Sequence, residues 1–419
     1  MKKLLAIVLM LAMVFTFAAC GAQDEGSVAT DGDTIKIGVV LPFSGSSEYV
    51  GNAQFYGYQY ALADYMEHYG DQLNGKTIEF VTADSQGVPD TGVSELERLI
   101  NEEGVSAVIG TYNSGVAAAM APVAIKYQVP FMVTNAVADS ILSQDSIYLY
   151  RSNMGDVDAA PSYRNFITYL NEEEGAGIEN VAIIYEATDY GQGARDNLVN
   201  NVYGQLGINV CLDESIIADS GDMSTVINKL KTSGADAVCV AVLEKDALLF
   251  TRQMKEYNVD IPVIAYGGGF ITDSYIPQAG DASEDIIASA SYLWDEAAMS
   301  EEALAIAADY VANTDYTQVT EPFANGWLGM YALLEAIGST GGSADREEIA
   351  QACDTFVAAA DDRALLFHPT IPGIKYEDDG IRYNQNLMAG MQFGQIQGGK
   401  FSLIYPAEAA RVELVWPAK

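Results

Sequence analysis

Histidine and the sequence signatures of catalysis are scarce in this chain. Two of the 419 residues are histidines, and we interpret His68, on a predicted helix, and His368, in a loop, as surface or packing residues. No nucleophile elbow, zinc-protease signature, Walker loop or dinucleotide fingerprint occurs. We therefore expect no enzyme and no cofactor. A glycosidase needs only two carboxylates, so that one class of enzyme stays open.

Cysteine is also rare, at four residues. Apart from Cys20, which ends an N-terminal apolar run, the chain holds Cys211, Cys239 and Cys353. This odd number argues against a disulfide framework, and no Cys-x-x-Cys spacing of the kind that binds metal occurs. Cys211 and Cys239 fall in predicted strands, where we expect buried thiols. We predict no metal site.

Basic residues are few. The 21 lysines and arginines stand against 58 aspartates and glutamates, and the formal net charge is −37. A charge of this sign repels nucleic acid and anionic lipid, so we expect no nucleic-acid partner. The acidic residues are scattered along the chain, which is typical of a solubilising surface rather than of an acidic tail.

The sequence contains a single long apolar run, from Leu4 to Ala19, directly after Lys2 and Lys3. The run is too short and too close to the start for an ordinary membrane span, and it predicts a secretory signal. Because no second run of this kind follows, we expect the body of the protein to be soluble. Because the first run predicts a secretory signal, we expect that body to lie outside the cytoplasm.

The end of this run, Phe17-Ala18-Ala19-Cys20-Gly21, resembles the lipobox of bacterial lipoproteins. The resemblance implies cleavage before Cys20 and lipidation of that residue, which would anchor the protein to the cell membrane. Phe17 departs from the usual leucine or valine, and a plain signal peptide with a chance cysteine is the alternative. Residues 21–33 are small, polar and acidic, and we predict a flexible tether there.

Beyond the tether, apolar strands alternate with helical patterns in two rounds. Alternation of this kind predicts right-handed βαβ units and a doubly wound, mainly parallel sheet in each round. The predicted strands span 35–41, 76–83, 105–109, 130–133, 147–150, 181–185, 208–212, 235–243, 262–265 and 286–291. The predicted helices span 89–103, 114–126, 156–174, 191–206, 223–232, 247–257, 301–312, 322–337 and 345–359, and a terminal hairpin joins 388–397 to 400–405.

Small polar residues follow the predicted strands of both rounds. Asn113 or Ser114 can cap a helix whose free N–H groups would accept an anion, and Asn135 follows the next strand. Because ligands of open α/β sheets bind beyond the carboxyl ends of the strands, these loops predict a cleft between two lobes. Four tyrosines are candidate cleft residues, with Phe270, Asn325 and Trp327 as further candidates and core packing as the alternative for each aromatic. The tyrosines are Tyr49, Tyr112, Tyr190 and Tyr266.

Three stretches of sequence resemble the branched-chain amino-acid-binding family of periplasmic proteins. They are 35–45, 108–114 and Asp189-Tyr190-Gly191-Gln192-Gly193, and the order of elements is similar from Ile35 to about Pro406. The resemblance implies a two-lobed α/β fold of type I, with a three-strand hinge near Ser152, Tyr292 and Leu387. We thus expect a signal in 1–20, a tether in 21–33, a first lobe in 34–152 and 293–387, and a second in 153–292 and 388–419.

The resemblance also implies roles for individual residues. A serine at the position of Ser114 binds the ligand's carboxylate, helped by backbone in the turn Ala136-Val137-Ala138. A tyrosine at the position of Tyr190 closes over the ligand. The glutamate that holds the ammonium of amino-acid ligands falls at Gly268 and is missing. We propose Glu244 as its substitute, because burying an ammonium without an acidic partner would cost on the order of several kcal/mol of binding free energy.

These features predict a monomeric solute-binding lipoprotein of an ABC importer. Its partners would be a small polar solute, with a branched-chain or other amino acid as the first candidate, and the permease subunits in the membrane. Two alternatives stay open at this point. The ligand could be an amide, a urea-like molecule or a simple carboxylate, and the protein could sense its ligand instead of delivering it.

Overall fold

The structure is a computed structural model that describes residues 33–379 and 382–416. The predicted signal, Cys20 and all of the tether but Asp33 lie outside the described residues. Within the described ranges, no helix combines the length and the apolar character that crossing a bilayer would require.

The strands form two sheets of eight and seven strands. In chain order the strands are β1 (Thr34–Leu41), β2 (Thr77–Asp84), β3 (Ala107–Gly110), β4 (Phe131–Val133), β5 (Leu149–Arg151), β6 (Asn180–Glu186), β7 (Asn209–Ile216), β8 (Ala237–Ala241), β9 (Val263–Ala265), β10 (Ile287–Ala290), β11 (Val357–Ala359), β12 (Gly373–Glu377), β13 (Gln385–Asn386), β14 (Gln392–Gln397) and β15 (Lys400–Tyr405).

The parallel parts of the two sheets share one strand order. The first runs β11-β12-β13-β5-β4-β3-β1-β2 and the second β15-β14-β10-β9-β8-β6-β7. Each has a parallel part whose order reverses beside its first strand, between β1 and β3 and between β6 and β8. Strands from the C-terminal part of the chain extend both sheets: β13 pairs in parallel with β5, and the other added strands pair antiparallel. This confirms the predicted two-lobed α/β fold with a mainly parallel sheet in each lobe.

Helices cover both sheets. They are α1 (Glu48–Tyr69), α2 (Pro89–Arg98), α3 (Ser114–Lys126), α4 (Asp156–Glu172), α5 (Asp189–Asn197), α6 (Gly204–Leu206), α7 (Ser224–Lys231), α8 (Glu244–Glu256), α9 (Tyr275–Ala279), α10 (Glu301–Asn313), α11 (Glu321–Ser339) and α12 (Arg346–Asp354). Single π-helical turns, Leu99–Glu103 and Leu198–Tyr203, continue α2 and α5 within the predicted helices 89–103 and 191–206.

Burial explains why β1 and β8 read as apolar runs. Every residue of β8 is buried, as are Val39, Val40 and Leu41 of β1, because helices pack on both faces of the parallel strands. The predicted crossings near Ser152, Tyr292 and Leu387 each fall between strands of different sheets, namely β5 and β6, β10 and β11, and β13 and β14. The lobe boundaries at these residues stay predictions.

The C-terminal third differs from two predictions. The predicted helix 345–359 ends at Asp354, and Val357–Ala359 forms an edge strand against β12 in which Ala358 is buried between two exposed neighbours. That alternation has a strand's period of two, so the helical interpretation of these residues was wrong. The predicted strand 388–397 begins only at Gln392, and 388–391 is irregular.

One residue-level expectation also needs correction, and another falls within its stated alternatives. Cys239 is buried as predicted, but Cys211 is only half-buried, because β7 is the edge strand of the second sheet. His368 is buried, and burial lowers the pKa of its imidazole to about 4. The ring packs edge-on against Tyr292, so His368 is a packing residue.

Candidate ligand-binding site

A cavity of about 410 Å³ lies between the lobes, where the carboxyl ends of parallel strands from both sheets meet. We call it the interlobe cavity. The first lobe contributes loops that follow β3 and β4, and the second contributes loops that follow β6, β8 and β9. The volume falls in the range of roughly 300–1,000 Å³ that is usual for sites of small molecules.

Nine of the predicted site residues line the interlobe cavity. They are Tyr112, Asn113, Ser114, Asn135, Val137, Tyr190, Glu244, Tyr266 and Gly268. These residues are up to 156 positions apart in the sequence, and the two sheets bring them together at the carboxyl ends of their strands.

The other predicted residues lie elsewhere. Phe270 is buried beside Phe250 and Tyr275 in the core of the second lobe. Ala136 and Ala138 lie behind the wall of the cavity, where their carbonyls accept hydrogen bonds from the guanidinium of Arg151.

Tyr49 lies away from the interlobe cavity and joins the lobes directly. Its hydroxyl donates to a carboxylate oxygen of Asp273 in the second lobe, at 2.5 Å. The amide and hydroxyl of Thr317 donate to the other oxygen of Asp273. These contacts hold the lobes together on the side where Tyr49 packs on Tyr316.

The remaining aromatic and amide candidates of α11 are also behind the cavity. Trp327 is buried in the core, and its indole N–H donates to the Arg363 carbonyl. Asn325 is buried and donates to Asn135 Oδ1 at 3.0 Å, which orients an amide that does line the cavity.

Ser114 marks the first-lobe end of the interlobe cavity. It is the first residue of α3, and its hydroxyl oxygen accepts hydrogen bonds from the amides of Val137 and Ala138, both at 3.3 Å. The preceding Asn113 makes no side-chain capping bond, contrary to expectation, because its amide points to Ser47. The first N–H groups of α3 therefore have no side-chain cap, and with the helix dipole they favour an anion there.

The second-lobe wall of the interlobe cavity is acidic. The Glu244 carboxylate accepts a hydrogen bond from the Tyr112 hydroxyl of the first lobe at 3.0 Å. The Glu186 carboxylate accepts from the Thr188 hydroxyl and from the Leu243 amide. At the edge between the lobes, Glu321 accepts from the amide and hydroxyl of Ser291.

Burial shifts the protonation of these acids. Desolvation raises the pKa of Glu244 to about 7, although the hydrogen bond from Tyr112 acts in the opposite direction. Desolvation likewise raises the pKa of Glu186 to about 7 and that of Glu321 above its ordinary value. A positive charge in the interlobe cavity would favour the ionised form of all three.

Tyr190 and Tyr266 form the floor of the second-lobe side. The hydroxyl of Tyr190 donates to the backbone carbonyl of Tyr266, and the hydroxyl of Tyr266 donates to Asp156 at 3.0 Å. Tyr266 stacks on Tyr163. Both tyrosines are thus fixed by buried partners and present rigid apolar surface to a ligand.

The sequence pattern missed several cavity residues. Glu186 is the last residue of β6, Thr188 follows that strand and Met154 follows β5, so the strand-end rule could have found them. Glu321 and Met391 had no such signal, because they come from the start of α11 and from the crossing between β13 and β14.

Comparison with known proteins shows what this chain resembles. A family model described as periplasmic binding protein matches residues 34–400. The Leu/Ile/Val-binding protein homolog 7 of Brucella suis biovar 1 is 27% identical over 411 residues, which cover 91% of this chain and 94% of that protein.

Solved structures share the fold. A leucine-binding protein from Thermotoga maritima matches with a TM-score of 0.74 at 20% identity, covering 88% of this chain and 97% of its own. A solute-binding protein of an ABC transporter from R. palustris, in complex with benzoate, matches with a TM-score of 0.74 at 21% identity, covering 88% and 95%. A branched-chain amino acid transporter substrate-binding protein from Streptococcus pneumoniae, in complex with isoleucine, matches with 0.73 at 21%, covering 88% and 97%.

Proposed function

Because this chain belongs to the family of periplasmic binding proteins, we propose that it captures a small polar solute between its lobes and delivers it to the permease of an ABC importer. The interlobe cavity carries this proposal. It is lined by both lobes, it lies at the point where the strand order of each sheet reverses, and it combines an anion-binding helix start with buried carboxylates.

An amino acid, with the branched-chain members first, is the solute that we propose. The structural neighbours bind isoleucine in one case and benzoate in another. Both ligands carry a carboxylate, which the free N–H groups and hydroxyl at Ser114 would suit. A simple carboxylate is the competing ligand, because benzoate has no ammonium group.

A thermal-shift screen tests the proposal. The protein is melted alone and with L-leucine, L-isoleucine, L-valine, benzoate, small amides and urea, each in large excess. A ligand at about 100 times its Kd should add about 2.7 kcal/mol of stability and raise Tm by several degrees. A melting temperature that no member of this panel changes would contradict capture of a small polar solute of these classes.

Ser114→Ala should weaken binding of a carboxylate ligand by about 1.5–3 kcal/mol, through loss of a charge-assisted hydrogen bond. Titration calorimetry with the tightest ligand of the screen measures the effect. The matched control is Ser94→Ala, which removes an exposed hydroxyl from α2 that does not line the interlobe cavity. Equal affinities of the two variants would refute the role of Ser114.

We further propose that the chain is a lipoprotein anchored through Cys20. The support is the sequence 17–21 behind an apolar run, followed by a polar tether before the first described strand. Expressed in a bacterium with its own leader, the protein should fractionate with membranes, and Cys20→Ser should release it. A variant that stays with the membranes would contradict the lipid anchor.

A further inference from the structure

We infer that the solute carries a cationic nitrogen and that Glu244 binds it, at a position where the second lobe replaces the glutamate expected at Gly268. The inference rests on the proposed function and narrows its ligand class. Its basis is the geometry of three neighbouring features: the turn 267–269, the start of α8, and Tyr112 of the opposite lobe.

The turn after β9 has no room for a side chain at Gly268. A Cβ atom there would lie 2.5 Å from the carbonyl oxygen of Val242 and 2.7 Å from the hydroxyl of Tyr190. The backbone of Gly268 also has φ +57°, which L side chains rarely adopt. The backbone conformation and the close neighbours of Gly268 therefore exclude a glutamate side chain at this position.

The same turn brings another carboxylate close. A Cβ atom on Gly269 would lie 2.6 Å from the backbone nitrogen and Cα of Glu244. The glycine thus lets the first residue of α8 pack directly against the turn. Glu244 consequently stands beside Gly268, and both residues line the interlobe cavity.

The two oxygens of the Glu244 carboxylate differ in their hydrogen bonding. Its Oε1 accepts the hydroxyl proton of Tyr112 at 3.0 Å, whereas its Oε2 is buried and has no hydrogen-bond partner among the described residues. A buried carboxylate oxygen without a partner is costly, and an ammonium N–H is the donor that satisfies both its charge and its lone pairs. Tyr112 lies in the first lobe, so lobe closure completes this site.

The surrounding charge favours a cation as well. Of the described residues that line the interlobe cavity, six are acidic and one, Lys245, is basic. The ammonium of Lys245 is largely exposed and lies 3.4 Å from Asp219, so it does not neutralise Glu244. The six acids are Glu186, Asp189, Asp219, Glu244, Asp246 and Glu321.

A ligand with both charges fits the two ends of the interlobe cavity. Its anionic group would meet the start of α3 at Ser114, and its cationic nitrogen would meet Glu244. This chemistry describes a zwitterion such as an α-amino acid and disfavours benzoate-like ligands, which would place no cation against the acidic wall.

A matched series of probes tests the inference by calorimetry. L-Leucine carries both charges, 4-methylpentanoate lacks the ammonium, and 3-methylbutylamine lacks the carboxylate. We expect the wild type to bind L-leucine at least ~10-fold more tightly than 4-methylpentanoate. We expect Glu244→Gln, which keeps an oxygen to accept the Tyr112 hydroxyl, to lose at least ~10-fold in affinity for L-leucine and nothing for 4-methylpentanoate.

The control is Glu256→Gln, the same substitution at the exposed far end of the same helix. It should leave all affinities unchanged. The melting temperature of Glu244→Gln without ligand should be no lower than that of the wild type, since the variant removes a buried carboxylate that lacks a partner.

The pH profile gives a second readout. Ammonium and proton compete for the Glu244 carboxylate, whose pKa burial raises to about 7. Affinity for L-leucine should therefore rise with pH, by up to about tenfold per unit, and level off above about pH 7. Glu186 and Asp219 face Glu244 from the ends of β6 and β7, and Tyr112 faces it from the first lobe. Because Glu186 also titrates near pH 7, Glu244→Gln should flatten the profile without abolishing it.

The outcomes separate the two levels of the proposal. If no probe of the series and no benzoate binds, the proposed function fails and the inference fails with it. If 4-methylpentanoate or benzoate binds as tightly as L-leucine, or if Glu244→Gln binds L-leucine like the wild type, solute capture stands and the cationic site at Glu244 is refuted.

Discussion

Arg382→Met should lower the free energy of unfolding by about 3–5 kcal/mol, the usual consequence of removing one partner from a buried ionic network. The side chain of Arg382 is 2% exposed. Its guanidinium pairs with Asp158 through two hydrogen bonds, at 2.6 and 2.8 Å, and also contacts Asp139 and Asp379. Methionine would fill much of the volume but remove both charge-assisted hydrogen bonds to the largely buried Asp158 carboxylate, whereas Asp139 keeps its pair with Arg151.

The position of this network explains the size of the effect. Asp139 follows β4 of the first sheet, Asp158 lies in α4 of the second lobe, and Arg382 precedes β13. The guanidinium therefore joins three segments that meet where the chain passes between lobes. Arg151, fully buried beside it, pairs with the same Asp139.

Denaturant unfolding measures the change, and an unaltered m-value would show that the same surface is exposed on unfolding. Arg195→Met is the matched control. Arg195 also pairs with two carboxylates, Asp213 and Asp196, but at the surface, so its loss should cost about 1 kcal/mol or less. Similar losses for the two variants would show that the buried network contributes no more than an exposed ion pair.

Sequence patterns predicted the alternating strands and helices because these elements carry their signal locally. Helix α3 begins and ends where predicted, at Ser114 and Lys126, and most of the parallel strands match within two residues. Each such strand is a short apolar run that ends in a turn, and most of the predicted helices bury one face. The order of apolar and polar residues within each of these elements therefore predicts which of its residues are buried.

The sequence patterns did not predict helix α1, from Glu48 to Tyr69, because its burial is not confined to one face. It packs along α11, and buried residues lie all around it, among them Tyr58, Tyr65 and Gln54. A helix buried on several faces has no polar stripe, so its sequence lacks the period that predicts an amphipathic helix. Its glycines and tyrosines lower the intrinsic helix propensity further.

The candidate site was predictable to the extent that it follows strand ends. Tyr112 and Ser114 follow β3, Tyr190 follows β6, and Glu244 follows β8, and all four line the interlobe cavity. Tyr49 and Phe270 had the same local signal but lie outside it, because residue type alone does not say which way a side chain points. Only the packing of the lobes decides that.

Gly268→Glu, which restores the residue that the family resemblance implies, should destroy the site instead of repairing it. The left-handed backbone costs roughly 1–2 kcal/mol with any Cβ, and forcing atoms against Val242 and Tyr190 costs typically 1–3 kcal/mol more. The displaced Tyr190 can no longer hold its hydrogen bond to the Tyr266 carbonyl. We expect a loss of about 2–5 kcal/mol in stability and loss of detectable ligand binding.

Two alanine variants distinguish the cost of backbone strain from the cost of steric clash. Gly268 has φ +57° and a crowded Cβ position, whereas Gly104 has φ +68° in the left-handed region and nothing within 4 Å of its Cβ position. Gly104→Ala should cost only the backbone strain, about 1–2 kcal/mol, and leave binding unchanged. Gly268→Ala should cost more and weaken binding, because its methyl group already meets Tyr190. If both alanine variants lose the same stability and Gly268→Glu binds L-leucine more tightly than the wild type, the turn can yield, and the assignment of the ammonium to Glu244 instead of position 268 loses its structural reason.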